Sequence, residues 1–129
     1  MREIKVLLAI LACVASTQSC AVQFPDKPLR IVTSEAGGGN DVPARILAAG
    51  LTQALGQQVV VDNRGGAAGV IACEIAARAV PDGYTLLLGV IGTMSVQPNL
   101  TAKLPYDPVR DFAPVSLLSE SPYVFALSN

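Results

Sequence analysis

Pro28-Leu29-Arg30-Ile31-Val32-Thr33, then Gly37-Gly38-Gly39-Asn40-Asp41, then an apolar set at Val42, Ile46, Leu47, Leu51, Ala54 and Leu55 decide the fold between them. β-Branched residues directly after a proline read as a β-strand. The glycines form a loop that closes on Asn40 and Asp41, both good helix N-cap types. The apolar set recurs at offsets 0, 4, 5, 9, 12 and 13, which is one stripe of an amphipathic helix. Pro43 is tolerated because the first turn has no N–H bonds to lose, and Gly56 is placed to end the helix.

Outward from this unit the cycle repeats. Gln58-Val59-Val60-Val61-Asp62 predicts a second strand, and Asn63-Arg64-Gly65-Gly66-Ala67-Ala68-Gly69 a second glycine-rich loop. A second helix is expected over 70–79, ended by the turn chemistry of Pro81-Asp82-Gly83. Tyr84-Thr85-Leu86-Leu87-Leu88-Gly89-Val90 is an unbroken apolar run, as suits a parallel strand covered on both faces. Strand–helix–strand–helix–strand predicts an α/β domain, a parallel sheet flanked by helices with right-handed crossovers. Residues 34–41, 63–69 and 91–95 each follow a strand, so all three should emerge at one edge of the sheet. In open α/β sheets that edge is where ligands bind.

Composition narrows the chemistry. The chain has 129 residues, one domain's worth, with 51% hydrophobic and 15% charged types, which supports a packed core. Nine basic and ten acidic residues give a net charge of -1, without a basic stripe for nucleic acid. Histidine is absent, which removes Ser-His and Cys-His pairs and imidazole metal sites. The three cysteines lack C-x-x-C spacing, so no thiolate metal cluster is expected either.

Met1-Arg2-Glu3-Ile4-Lys5, ten apolar residues from Val6 to Ala15, and polar Ser16-Thr17-Gln18-Ser19 have the layout of a secretory signal peptide. Ten helical residues reach about 15 Å, half of a bilayer's ~30 Å core, so they do not read as a span. Ser19-Cys20-Ala21 supplies small residues for cleavage after Ala21, making 1–21 the signal peptide. Ile10-Leu11-Ala12-Cys13 is the competing lipoprotein box. Cleavage after Ala21 leaves Cys73 as the one remaining thiol, so an internal disulfide is impossible and core packing must hold the domain.

In the loops, Gly37-Gly38-Gly39 lets backbone N–H groups approach a ligand, and the helix opening at 40–43 adds the positive end of its dipole. Together these favour a bound anion. The spacing is neither G-x-G-x-x-G nor a G-x-x-x-x-G-K-[ST] phosphate loop, so a small carboxylate is favoured over a nucleotide. Each polar residue here also has a plainer reading. Asp41 either orients ligand or caps the helix, and Thr93 and Ser95 offer hydroxyls or cap their own loop. Arg64 counters ligand charge or is simply exposed, and Cys73 among alanines reads as a small buried hydrophobe. Asp107, Arg110 and Asp111 read as a solvated turn.

At this point the chain resembles a family. Phe24-Pro25-Asp26-Lys27-Pro28-Leu29-Arg30-Ile31-Val32 with the first glycine loop is similar to the start of tripartite tricarboxylate transporter substrate-binding proteins, the Bug-type periplasmic receptors. The likeness continues through Leu55-Gly56-Gln57-Gln58-Val59-Val60-Val61-Asp62-Asn63-Arg64, Pro81-Asp82-Gly83-Tyr84-Thr85-Leu86-Leu87 and Leu104-Pro105-Tyr106-Asp107-Pro108-Val109-Arg110-Asp111-Phe112-Ala113-Pro114-Val115. The resemblance implies a periplasmic-binding-protein type II-like two-lobe clamp, of which 22–129 would be most of the first lobe with the second absent. It implies a monomer that binds a small carboxylate for membrane permease subunits, without cofactor, metal, nucleic acid or catalysis. The ligand would be held by Ser34, Glu35, Ala36, Gly37, Gly38, Gly39, Asn40 and Asp41, by Gly66 and Ala67, and by Gly92 and Thr93.

One departure stands out. The family usually carries proline and an aromatic where this chain has Thr33 and Ser34, and a small residue or proline at Glu35. An ionised Glu35 about 4 Å from a ligand carboxylate costs ~4 kcal/mol at an effective dielectric near 20. Glu35 therefore either points away or meets a cationic group. Two other functions stay open at this stage: a fragment that binds nothing, and an exported α/β enzyme, although the chain lacks a G-x-S-x-G elbow.

Overall fold

The computed structural model describes residues 24–120. The signal peptide read in 1–21 and the apolar segment Tyr123-Val124-Phe125-Ala126-Leu127 lie outside the described residues. Three strands, β1 (Leu29–Thr33), β2 (Val59–Asn63) and β3 (Thr85–Leu87), form a parallel sheet in the order β2-β1-β3. β1 pairs with β2 from Leu29↔Val59 to Thr33↔Asn63, and with β3 from Arg30↔Thr85 to Val32↔Leu87. Helix α1 (Asp41–Leu55) packs on β1 and β2, and α2 (Val70–Ala77) packs on β1 and β3. The chain steps from β1 to one side and then back past it to the other, so right-handed crossovers put the two helices on opposite faces.

The central strand is the most deeply buried. Leu29 and Ile31 face α1 and form the core with Ala44, Ala48 and Val59, and Val32 on the alternate face is fully enclosed. Each such aliphatic side chain contributes about 1.5–3 kcal/mol on burial. Gly56 ends α1 as expected, at φ +67°, with its N–H donated to the Thr52 carbonyl at 3.1 Å. That left-handed conformation carries no Cβ penalty in glycine.

Three details differ from the sequence reading. The buried face of α1 is Asp41, Ala44 and Ala48, flanked by half-buried Leu47, Leu51 and Leu55, whereas Val42 and Ile46 are 61% and 69% exposed. Small alanines let the helix lie close to the sheet, and the two bulkier residues are rotated outward. β3 is three residues long and half-buried where seven covered residues were expected. Its pairing with β1 runs only from Arg30↔Thr85 to Val32↔Leu87. The last bond of the ladder is Leu88 N–H to the Val32 carbonyl at 3.0 Å. Residues 91–95 belong to a helical stretch, a π-helical turn (Gly92–Val96) running into the short α3 (Gln97–Leu100), instead of forming a loop.

At the opposite end of the sheet the segment before β1 is clasped to Tyr84. Asp26 N–H donates to the Tyr84 hydroxyl at 2.9 Å, and the Lys27 ammonium lies 4.3 Å from the ring centroid while pairing with Asp82 at 3.0 Å. Among the described residues no helix is long and apolar enough to cross a membrane.

Candidate functional site

The first loop, 34–40, leaves the buried central strand and is braced by Asp41. The Asp41 carboxylate accepts Gly37 N–H at 2.9 Å and Asn63 Nδ2 at 3.0 Å, and pairs with Arg45 Nε at 3.0 Å. Arg45 first, then the two hydrogen bonds, hold its pKa down at about 2. Asp41 is therefore the first helical residue and a brace, while Asn40 at the N-cap position makes no side-chain cap. Asn40 Nδ2 donates instead to Ser34 Oγ at 3.2 Å, and Asn63 Nδ2 also reaches the Ser34 carbonyl at 3.3 Å. The end of β2 thus secures the loop that follows β1.

The second loop is strained. Ala67 and Ala68 lie at φ +48° and +52°, where an L-residue loses about 1–2 kcal/mol, and Gly69 follows at +90°. Such outliers concentrate at functional sites. A Cβ placed on Gly69 would stand 2.9 Å from Thr93 Cγ2 and 3.8 Å from Ser34 Cβ, so the segments following all three strands meet at this glycine.

The third segment is anchored from outside. Thr93 is buried, and its Oγ1 donates to the Val90 carbonyl at 3.2 Å. Its own carbonyl accepts the hydroxyl of buried Tyr106 at 2.7 Å. Burial, together with Cys73 alongside, pushes the Tyr106 pKa up to about 12.

Between these segments lies a cleft of about 220 Å³. Ser34, Glu35 and Asn40 line it from the first loop, and buried Thr93 from the third segment. Ala68, Gly69, Ala72 and Cys73 line it from the second loop and α2, and Leu87, Leu88 and Val90 from the end of β3. The lining is polar and apolar in about equal measure, more polar than the usual small-molecule site, and this volume, below the ~300–1,000 Å³ of larger pockets, suits few heavy atoms. The cleft sits where the chain leaves β1 one way and β3 flanks it on the other side, the switch point that binds ligands in open α/β sheets.

Of the residues expected at the site, Ser34, Glu35, Asn40 and Thr93 line the cleft. Ala36, Gly37, Gly38, Gly39, Asp41, Gly66, Ala67 and Gly92 belong to the same three segments but do not line it. Asp41 and Gly66 act on it through hydrogen bonds, Gly66 N–H donating to Glu35 Oε1 at 3.2 Å. Arg64 lies apart, with Nε on Asp62 at 2.7 Å. Cys73 is buried, as its surroundings predicted. Asp107 accepts Val109 and Arg110 N–H at 2.9 and 3.1 Å, an ordinary surface turn. Cys73 and the β3 end were not expected in the cleft, and Gly69 only as part of the second loop at the ligand edge. Strand order would have pointed to them, and a single sequence does not state strand order. Among the described residues no acidic and cysteine cluster is arranged to hold a metal.

Comparison with known proteins gives a consistent picture. The family model described as "Tripartite tricarboxylate transporter family receptor" matches residues 43–128. The protein BugT of Bordetella pertussis is 39% identical over 125 residues, covering 92% of this chain and 38% of its own length. The structure of MatC from Rhodopseudomonas palustris with bound malate superposes with a TM-score of 0.70 at 41% identity, over 74% of this chain and 33% of MatC. The periplasmic binding protein BugD gives a TM-score of 0.66 at 42% identity, over 70% and 30%. The chain thus spans about a third of the length of the relatives it matches.

Proposed function

Because the chain belongs to the tripartite tricarboxylate transporter receptor family, in its Bug-type branch, we propose that it serves in the periplasm as a solute receptor. It captures a small carboxylate-bearing metabolite and presents it to a membrane permease. The observation that carries this reading is the cleft at the switch point, with its mixed polar and apolar lining and its uncharged donors Ser34 and Asn40. Malate bound to MatC supports the ligand class.

In this reading the ligand carboxylate is held by uncharged groups: the Ser34 hydroxyl and the second N–H of the Asn40 amide, with the N–H groups of Ala36 and Gly39 at the loop's edge. Gly37 N–H, Gly38 N–H and the Thr93 hydroxyl are already spent on Asp41, Glu35 and Val90 and shape the wall. The N-terminus of α1 adds its positive end. Gly66, Ala67 and Gly92 shape the facing walls. Asp41 works one step back by fixing Gly37 and Asn63. Neutral donors suit a receptor that must release its cargo, since desolvation and pairing of full charges are avoided. Residues 1–21 act as the export signal, so the exported protein should begin at Val22.

Protein-detected NMR titration with small mono-, di- and amino carboxylates tests the proposal. Amide shifts should concentrate in residues 34–40, 64–69 and 88–95, and Ser34→Ala or Asn40→Ala should reduce them. Shifts scattered elsewhere, or none with any member, would overturn it. Turnover of carboxylate esters would favour the enzyme reading instead.

A further inference from the structure

Glu35 is the one charged side chain among the described residues that line the cleft. Its position is fixed from several directions. Oε1 accepts Gly66 N–H at 3.2 Å, its backbone carbonyl accepts Gly38 N–H at 3.2 Å, and a Cβ on Gly65 would fall 3.0 Å from its Cγ. The stem therefore lies flat against the second loop, and the carboxylate bridges the first loop to the second. None of the ion pairs among the described residues includes Glu35. The nearby cations are engaged, Arg45 with Asp41 and Arg64 with Asp62. Its own backbone N–H, Gly66 N–H and Ser34 keep its pKa below the ordinary carboxylate value, so it is ionised near neutrality.

An exposed negative charge, oriented by Gly66 N–H and outside every ion pair of the described residues, thus stands at the rim of a cleft read as carboxylate-binding. It also occupies a backbone donor of the second loop that a ligand anion would otherwise use. Like charges at contact distance repel, and an ammonium there would be attracted. From this geometry we infer that Glu35 is a specificity-determining residue: the cleft takes carboxylates that also carry an ammonium group, which pairs with Glu35, in preference to plain dicarboxylates. The inference rests on the receptor reading and narrows it.

The test uses matched probes on the full chain, succinate against aspartate and glutarate against glutamate, titrated by NMR while following the Gly66 and Thr93 amides. In the wild-type chain the amino member of each pair should bind about two- to fivefold more tightly, the range of an exposed ion pair. Glu35→Gln keeps the stem and an acceptor for Gly66 N–H but removes the charge. It should abolish the preference, weakening the amino member and strengthening the plain one. Glu35→Asp retains the charge on a shorter stem and should keep a reduced preference. If the plain members bind wild type as tightly as the amino members and Glu35→Gln leaves the ratio unchanged, the role of Glu35 is overturned while the receptor reading survives. If none of the four probes binds either protein, the receptor reading falls and this inference falls with it.

Discussion

Substituting Gly69 by alanine should loosen the junction of the three loops by an amount that can be apportioned. At φ +90° and ψ -2° an L-residue pays about 1–2 kcal/mol in backbone conformation. The new methyl would stand 2.9 Å from Thr93 Cγ2, well inside the ~3.5–4.0 Å optimum for carbon pairs. Thr93 is held by its carbonyl to Tyr106 and by its hydroxyl to Val90, so relief costs about 0.5–1.5 kcal/mol of off-rotamer strain. Against these, the loss of unfolded-chain freedom returns about 0.4–1 kcal/mol. The net expectation is a destabilisation near 1.5 kcal/mol, read as a melting temperature lower by roughly 6–12 °C for a domain of about 100 residues. Thr93→Ser deletes Cγ2 and keeps the hydroxyl. In the double variant the steric part should vanish and only the backbone part remain, a coupling of about 0.5–1.5 kcal/mol between touching residues. A Gly69→Ala chain melting within about 1 °C of the parent, or strictly additive single and double variants, would refute this account of the junction.

Two further outcomes follow from the brace and the core. Asp41 titrates near 2 when folded, below the ordinary 3.8, so its contribution to stability is complete above about pH 4 and is lost as pH falls through about 2. Asp41→Asn should flatten that acid limb in urea midpoints measured between about pH 5 and about pH 2; an unchanged limb would remove Asp41 from the acid sensitivity. Thr33 is fully buried, and its Oγ1 has no hydrogen-bond partner among the described residues. Thr33→Val replaces an unpaired hydroxyl with a methyl of similar shape and should raise stability by about 1 kcal/mol, measured by urea unfolding; a loss of stability would mean the hydroxyl is satisfied.

The order of strands and helices was legible because glycine and proline punctuate each unit. β1 and β2 lie within a residue of their expected bounds, and Gly56 ends α1 where it should. The buried side of α1 was misread because Val42 and Ile46 outweigh Ala44 and Ala48 on any scale of apolar size, although close approach to the sheet requires the small residues. A π-helical turn has no familiar periodicity, so residues 92–96 passed for a loop. In the site, polar rim residues such as Ser34 and Asn40 could be read from loop chemistry. Cys73 and the end of β3 could not, because their place depends on β3 lying beside β1 on the side away from β2. Nor does sequence announce positive φ at Ala67 and Ala68, which the surrounding loop imposes.

The alanine face of α1 has a mechanical consequence. Ala44 and Ala48 act as a fulcrum seated directly on the sheet, and the short arm of that lever ends at Asp41, from which the first loop is slung. A bulkier residue at Ala48 would press on the sheet, and a tilt of the rod in response would reach Gly37 through Asp41, two helical turns away. The geometry of the first loop therefore depends on a position that does not line the cleft.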